Sequence, residues 1–459
     1  MTTMVWAVAC VLIVVVGIMA GRGITSKQWT GGDRSMGPVA VGCVLAATQI
    51  GGMSVVGAAQ NGYVGGISAS WYSIASGVFL LVFAALANVL RNRMPSEKVP
   101  DYFEKRFGVA SSRLYTYAWL VMGFIYIPIQ LKTIAGIIQI VIPSLNVHLA
   151  VVVGLTLAAL YTGIAGMKGS SIIGKITCFG TYILLAVFLA TKLGQFGGYS
   201  GLVAQLPATH ADWMNGYSFA RIFSMMLGGT LGGLVFQTFM QAFLAAKDEK
   251  TAATGSVLGY VLAAPISVLC GIVGMMALAG NKELGNGSTA FAWAINEYAS
   301  PLFGGLILAL ATMIIVATVA AMILACGTML NKVYTTQINP KADEAKSLKF
   351  TRIASIVFAY ATLIAAFAIP SASLTSMFLA LVYSMTTPFS FSLLGGVFWK
   401  GASKAGSIAS IVCGLITGIC WQVFSLGYIM ESVYAIFIVT FVVGIVVSLV
   451  CKDKEPQQA

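Results

Sequence analysis

The sequence predicts an all-α polytopic membrane protein of about thirteen spanning helices, arranged around two inverted repeats of five. Three observations lead there. The 459-residue chain is 58% hydrophobic and 9% charged, with a mean hydropathy of +0.91, far from the composition of soluble domains. Its Lys and Arg residues gather in short segments on one side of successive apolar stretches, as the positive-inside rule requires. Two of the stretches, about five spans apart, are interrupted by glycine near mid-length, the mark of paired broken helices in two related halves.

Windows of roughly 20 apolar residues place the spans near 4–20, 37–63, 67–90, 113–142, 146–167, 171–194, 217–240, 252–279, 302–331, 350–369, 373–398, 404–424 and 430–451. Met4 to Ala20 has no basic region before it and Arg22 behind it. A cleaved signal has the reverse polarity, so this stretch reads as a retained first helix. With the N-terminus outside and the C-terminus cytoplasmic, inner segments collect Arg22, Lys27 and Arg34, then Arg91, Arg93, Lys98, Lys105, Arg106 and Arg113. Lys168 and Lys175, Lys247 and Lys250, Lys332 to Arg352, Lys400 and Lys404, and Lys452 and Lys454 follow at later inner boundaries. Outer segments keep Lys192 and Lys282, with Arg221 at an outer helix end. One miscounted helix would invert every later loop. The chain then divides into residues 1–36 (first helix and inner loop), 37–194 (first repeat), 195–398 (second repeat) and 399–459 (two more helices and a short cytoplasmic tail). This is a multi-pass protein of a cell inner membrane or plasma membrane.

The first interrupted stretch is Gly37 to Tyr63, GPVAVGCVLAATQIGGMSVVGAAQNGY. It carries no charge, and Thr48, Gln49, Gly51 and Gly52 fall at its centre. Unwound backbone at membrane depth is tolerated where it lines a cavity, and its freed carbonyls can hold a cation or polar solute. The competing reading is a continuous helix whose small residues permit close packing. The second signal is GGTLGGLVFQ, Gly228 to Gln237.

What is missing narrows the function. All fourteen acidic residues lie in loops or at helix ends, which removes carboxylate proton relays and the acid pairs or HExxH-type clusters of an intramembrane hydrolase. His148 sits at a helix end and His210 in a loop, so neither is placed as a general base. The eight cysteines lie in or beside apolar spans without CxxC or Cys/His spacing, so neither a disulfide framework nor a metal cluster is indicated. The +12 charge is spread through orientation-setting loops and does not form a nucleic-acid surface. The chain does not read as an enzyme.

Lys132, in QLKTIAG, lies within the fourth span one turn after Pro128; ten residues to the helix end is about 15 Å. An ammonium there needs an anion, carbonyls or a wet cavity, and a substrate-carboxylate anchor competes with a structural partner. Lys175 can snorkel from the sixth span. Thr318 offers a hydroxyl amid aliphatic residues of the ninth span, bonded either to its own helix or to an ion. Trp71, Tyr72 and Phe236 are stacking surfaces or simply core.

The segments GDRSMGPVAVG and ATQIGGMSVVGAAQNGYVGGISASWY, followed by PDYFEKRFG, LYTGIAGMKGSS, FQTFMQAFLAAKDEKTAATG and LLGGVFWKGASKAGSIAS, resemble signatures of the sodium:solute symporter family, in order, from about residue 32 to 425. The resemblance implies a leucine-transporter-like core of two inverted five-helix repeats and ion-coupled transport by alternating access. It implies a sodium site made by the carbonyls of Ala47, Ile50 and Ile314 with the side chains at Ala317 and Thr318, although many relatives carry serine at 317. Gly174 stands where relatives place an aspartate, and Lys175 beside it is a possible substitute for the ion, which would make transport proton-coupled or ion-independent. The solute site implied draws on Gln49, Ser54, Tyr72, Ser73, Lys132, Phe236 and Gln237. With Lys132 present and no buried acid, the expected solute is a small organic anion such as a monocarboxylate, an acidic sugar or a pantothenate-like molecule. A choline-like quaternary amine, held by aromatic faces, is the alternative. A transporter-like sensor and a channel are further alternatives. No organic cofactor is expected, and the partners are the solute, the ion and the bilayer.

Overall fold

The computed structural model describes residues 1–20, 29, 31, 33–94, 96, 98–368 and 374–453, with 161, 163–165, 168 and 374–376 described by backbone alone. Arg22, Lys27 and Lys454 lie outside the described residues, and Lys168 is described by backbone alone. Every element among the described residues is a helix. In hydrocarbon this follows from chemistry, since a helix satisfies its backbone donors and acceptors within itself.

The helices that position the site are α1 (Thr2–Ala20), α2 (Pro38–Gln49), α3 (Ala58–Gly65), α4 (Val109–Val141), α5 (Val147–Lys192), α6 (Phe219–Val235), α7 (Gln237–Leu244), α8 (Pro301–Val333), α9 (Leu374–Thr386), α10 (Lys404–Val423) and α11 (Ser432–Val450). By length and composition ten helices among the described residues can cross a membrane, or eleven if the bent pair α6 and α7 counts as one span. The thirteen expected from the sequence are not reached by this measure. The difference lies in the breaks: α2 and the segment Val147–Leu160 are apolar but too short to qualify. In α5, Gly166 (φ 53°, ψ −157°) interrupts the helix where the fifth expected span gives way to the sixth.

The first break follows Gln49. Ile50 leaves the helical region at φ −79°, ψ 67°, and the chain resumes as a π-helical turn, Met53–Gly57, before α3. Glycine is required there. A Cβ on Gly52 would run into the Thr133 side chain, and one on Gly51 would lie 2.9 Å from Gln130 Nε2. The second break differs in place from the sequence signal. Gly228 to Gly233 stay within α6, and the chain turns at Phe236 (ψ 113°), setting α7 at 61° to α6. The glycines serve close packing instead: a Cβ on Gly229 would meet the Ser76 backbone, and one on Gly233 the Phe79 ring.

The halves of the two broken helices nearer the basic loops are tied by backbone. The Met36 N–H donates to Ala245 O at 2.9 Å, and the Lys247 N–H to Met36 O at 3.0 Å. Nearby, Lys332 pairs with Asp101 at 2.8 Å and with Glu104 at 2.5 Å. The Arg106 guanidinium donates to carbonyls from Gly396 to Ala402, the shortest bond being 2.9 Å to Ala402 O. On the other flank α1 packs on α8, where the Trp6 indole donates to Thr312 Oγ1 at 3.0 Å.

Candidate functional site

Between the two breaks lies a cavity of ≈ 40 Å³, room for roughly three water molecules. Thr48, Gln49 and Gly51 of the first break form one wall, Phe236 and Phe239 of the second break another. Tyr72, Ser76 and Phe79, Tyr126 and Gln130 of α4, and Phe378, Val382, Tyr383 and Thr386 of α9 complete it, with Gly229, Gly232 and Gly233 against α6. None of these lining residues is charged.

The polar groups in the lining are aimed by hydrogen bonds. Gln49 Nε2 donates to Ser76 Oγ at 3.1 Å, and Ser76 Oγ donates to Tyr72 O at 2.6 Å. Gln130 Oε1 accepts the Gly52 N–H at 2.7 Å, satisfying a donor that the break released. At the other break Tyr115 donates its hydroxyl to Val235 O at 2.7 Å. Around these groups the rings meet at angles: Tyr126 lies 5.4 Å from Phe378 and 5.7 Å from Phe236, and Tyr72 lies 6.2 Å from Phe378. The result is a small box with amide and hydroxyl groups on one side and aromatic faces on the other.

Behind that amide wall, Thr318 Oγ1 of α8 stands 2.9 Å from Ala47 O, 3.2 Å from Ile314 O and 3.5 Å from Ile50 O. One hydroxyl has one proton to donate, yet three carbonyls converge on it. The Ala47 and Ile50 carbonyls are there because α2 ends between them. Four uncharged oxygens of this kind suit a hard cation. Ala317 contributes only a methyl. It faces a cavity of ≈ 20 Å³ bounded by Thr48, Ser170, Thr238 and Gln241, large enough for one water.

The structure distributes the sequence candidates unevenly. Gln49, Tyr72 and Phe236 line the central cavity. Ser54, Ser73, Lys132 and Gln237 do not. Ser54 Oγ donates to Gln49 O at 3.0 Å, Ser73 Oγ lies 2.5 Å from Ser267 Oγ, and Gln237 Oε1 accepts the Val99 N–H at 2.9 Å. Each of these three is spent on holding an element in place. Lys132 is buried in α4, two residues beyond Gln130 and so on another face of the helix. Ala47, Ile50, Ile314 and Thr318 come together as described, with Ala317 beside them. Gly174 packs closely on α2, its Cβ position 3.1 Å from Cys43 O and 3.6 Å from the Ala47 Cβ. Lys175 follows it, half-buried. Sequence reasoning missed Tyr126, Gln130, Phe378, Tyr383 and Thr386; the spacing of Tyr126 and Gln130, one turn apart around Pro128, was the available signal.

Two helices broken in mid-bundle, an oxygen cage at one break and a neutral cavity between both define a membrane carrier of the inverted-repeat type. The chain belongs to the sodium:solute symporter family, which it matches over residues 29–414. It is 24% identical to a sodium/proline symporter of Staphylococcus aureus, over 96% of this chain and 92% of that one. Its fold is similar to that of a Na+-coupled sialic acid symporter in a substrate-bound outward-open state, with a TM-score of 0.78, 15% identity and 99% of each chain covered. It is also similar to a nucleobase-cation-symport-1 family transporter in a closed conformation with bromovinylhydantoin bound, with a TM-score of 0.60, 12% identity and 90% and 91% coverage. The architecture is therefore all-α and leucine-transporter-like, and the family and structural neighbours are transporters, not enzymes.

Proposed function

We propose that the protein is a sodium-coupled symporter that binds ion and solute together at the two breaks and carries them by alternating access. The observation that carries this reading is the convergence of three carbonyls on the Thr318 hydroxyl, directly behind the wall that Gln49 presents to the central cavity. One break supplies both ligand sets, so filling the cage stiffens the wall that the solute touches. Each ligand then strengthens the other by the same factor. A water in the small cavity beside Ala317 would replace the hydroxyl that many relatives place there. The cavity is too small for a solute until its walls part, and the aromatic side formed by α6 and α9 is the part that moves.

The solute favoured is compact and carries no net charge, of the size and zwitterionic character of a small amino acid. The lining has no charged group, and a lone ionic charge in such a place is costly. A carboxylate finds the Gln130 amide and the N-terminal end of the resumed helix, where the dipole favours it. An ammonium finds the ring faces. The organic-anion reading keeps one support, the burial of Lys132 two residues from Gln130. Lys175, in a proton-coupled or ion-independent scheme, would have to reach the cage past the packed Gly174 face.

The one-sided distribution of cations supports an outside N-terminus and a cytoplasmic C-terminus, in a bacterial inner or plasma membrane, with the repeats spanning 37–194 and 195–398. The test is uptake into proteoliposomes of a panel of small amino acids, monocarboxylates and quaternary amines, with sodium and proton gradients imposed separately. Amino-acid uptake driven by sodium alone is expected. Uptake driven only by protons, or only of monocarboxylates or amines, overturns the reading.

A further inference from the structure

A second, larger pocket of ≈ 400 Å³ lies at the end of α6 away from its break. It is walled by the first turns of α6 and α11, by α9, and by the end of α10 with the loop that follows. Arg221 and Glu431 both line it, and among the described residues they do not pair with each other or with any other charged side chain. The Arg221 guanidinium lies 5.2 Å from the centre of the Tyr217 ring. Trp421 and Gln422 form the polar floor, their side chains fixed by bonds to Met430 O at 3.0 Å and Ala380 O at 3.2 Å. Phe219, Val423, Phe424 and Ile429, next to the pocket in sequence, are exposed. Phe219 and Val423 sit at the ends of apolar helices, and Phe424 and Ile429 in the loop after α10; exposed apolar side chains at such a place suit the interfacial zone of a bilayer, where Trp side chains settle.

We infer that this pocket is a binding site for a zwitterionic phospholipid headgroup of the phosphatidylethanolamine kind. Its phosphate pairs with Arg221 and its primary ammonium with Glu431, while the acyl chains run down the exposed faces of α10 and α11. The pocket carries one group of each sign, as the headgroup does, and an Arg fork is suited to phosphate. The exposed apolar rim suits an amphiphile better than a free solute. The site also reaches the transport machinery. Tyr383 lines both this pocket and the central cavity, and Tyr434 of α11 donates its hydroxyl to Ala220 O of α6. A bound headgroup therefore holds the far end of the broken helix α6 against α11.

The test is retention of lipid by the full-length protein in native mass spectrometry, with phosphatidylethanolamine, phosphatidylglycerol and phosphatidylcholine offered in turn. One phosphatidylethanolamine per chain is expected on the wild type, with at least tenfold weaker retention in Arg221→Gln and in Glu431→Gln. Phosphatidylcholine should hold poorly, because its methylated ammonium cannot donate to Glu431. In proteoliposomes, adding phosphatidylethanolamine to phosphatidylglycerol should raise the wild-type uptake rate severalfold and leave Glu431→Gln unmoved. Equal retention by wild type and variants overturns the inference, as does occupancy by L-proline or soluble phosphoethanolamine in place of lipid. Glu431 is exposed, so its variant decides the matter even if Arg221→Gln fails to fold.

Discussion

Replacing Thr318 by Val keeps the shape of the side chain and removes the oxygen on which Ala47, Ile50 and Ile314 converge. The position is buried. A buried acceptor left without its donor costs about 1–3 kcal/mol of stability, and a contact to a charged group is worth about 1.5–3 kcal/mol. At about 1.4 kcal/mol per tenfold, losing one of the four oxygens raises the half-saturating sodium concentration by roughly 10- to 150-fold. The assay is the initial rate of solute uptake against sodium concentration in proteoliposomes. Because coupling is reciprocal, the solute KM should worsen at low sodium and return toward the wild-type value at saturating sodium. Thr318→Ser retains the oxygen and should stay close to wild type. If Thr318→Val folds and its sodium dependence stays within about twofold of wild type, less than the ~1.5 kcal/mol assigned to the contact, the cage has been misassigned.

Gly52→Ala should lower the melting temperature and abolish uptake, because its Cβ meets Thr133 and overpacking costs about 1–3 kcal/mol; a thermal melt in detergent checks it. Gln130→Ala leaves the Gly52 N–H unbonded, with a similar loss of about 1–3 kcal/mol, and should raise solute KM more than it raises the sodium requirement. Gln130→Glu keeps the acceptor for the Gly52 N–H but puts a carboxyl in an uncharged cavity, so it should regain only part of the stability and none of the affinity for a carboxylate. Lys132→Ala is expected to leave solute KM unchanged, since Lys132 does not line the cavity; a tenfold loss for monocarboxylates, about 1.4 kcal/mol, would restore the anion reading. Lys175→Gln should keep sodium-driven uptake, and loss of uptake in that variant, with proton-driven uptake in the wild type, would show that the lysine substitutes for the ion.

The fold was legible because bilayer spans and the cations between them are long-range, redundant signals. The first break was legible as one of two readings: Gly51 and Gly52 in an uncharged span fit either unwinding or close helix packing, and a second glycine-rich span five spans on favoured unwinding. The second was legible only to within a turn. The GGTLGG run suggested unwinding, but those glycines admit Ser76, Phe79 and Thr386 against α6, and the chain bends at Phe236, where the sequence shows only an ordinary aromatic. Three neutral residues of the cavity lining, Phe378, Tyr383 and Thr386, were not legible for the same reason. A single amide or ring on an apolar helix does not declare which face looks inward, and that face is set by packing around the breaks. Lys132 drew attention as the buried charge, while Gln130, one helical face away, holds the freed amide. Ser54 and Ser73 fall away from the cavity for separate reasons: Ser54 sits in the π-helical turn Met53–Gly57 and bonds back to Gln49 O, and Ser73 faces Ser267.

The most direct measurement is equilibrium binding of radioactive sodium to the purified protein, with and without the solute that the uptake panel selects. Saturable sodium binding that the solute tightens is expected, with a matching tightening of solute binding by sodium and loss of both in Thr318→Val. Sodium binding that ignores the solute, or survives that substitution unchanged, would contradict the proposed coupling.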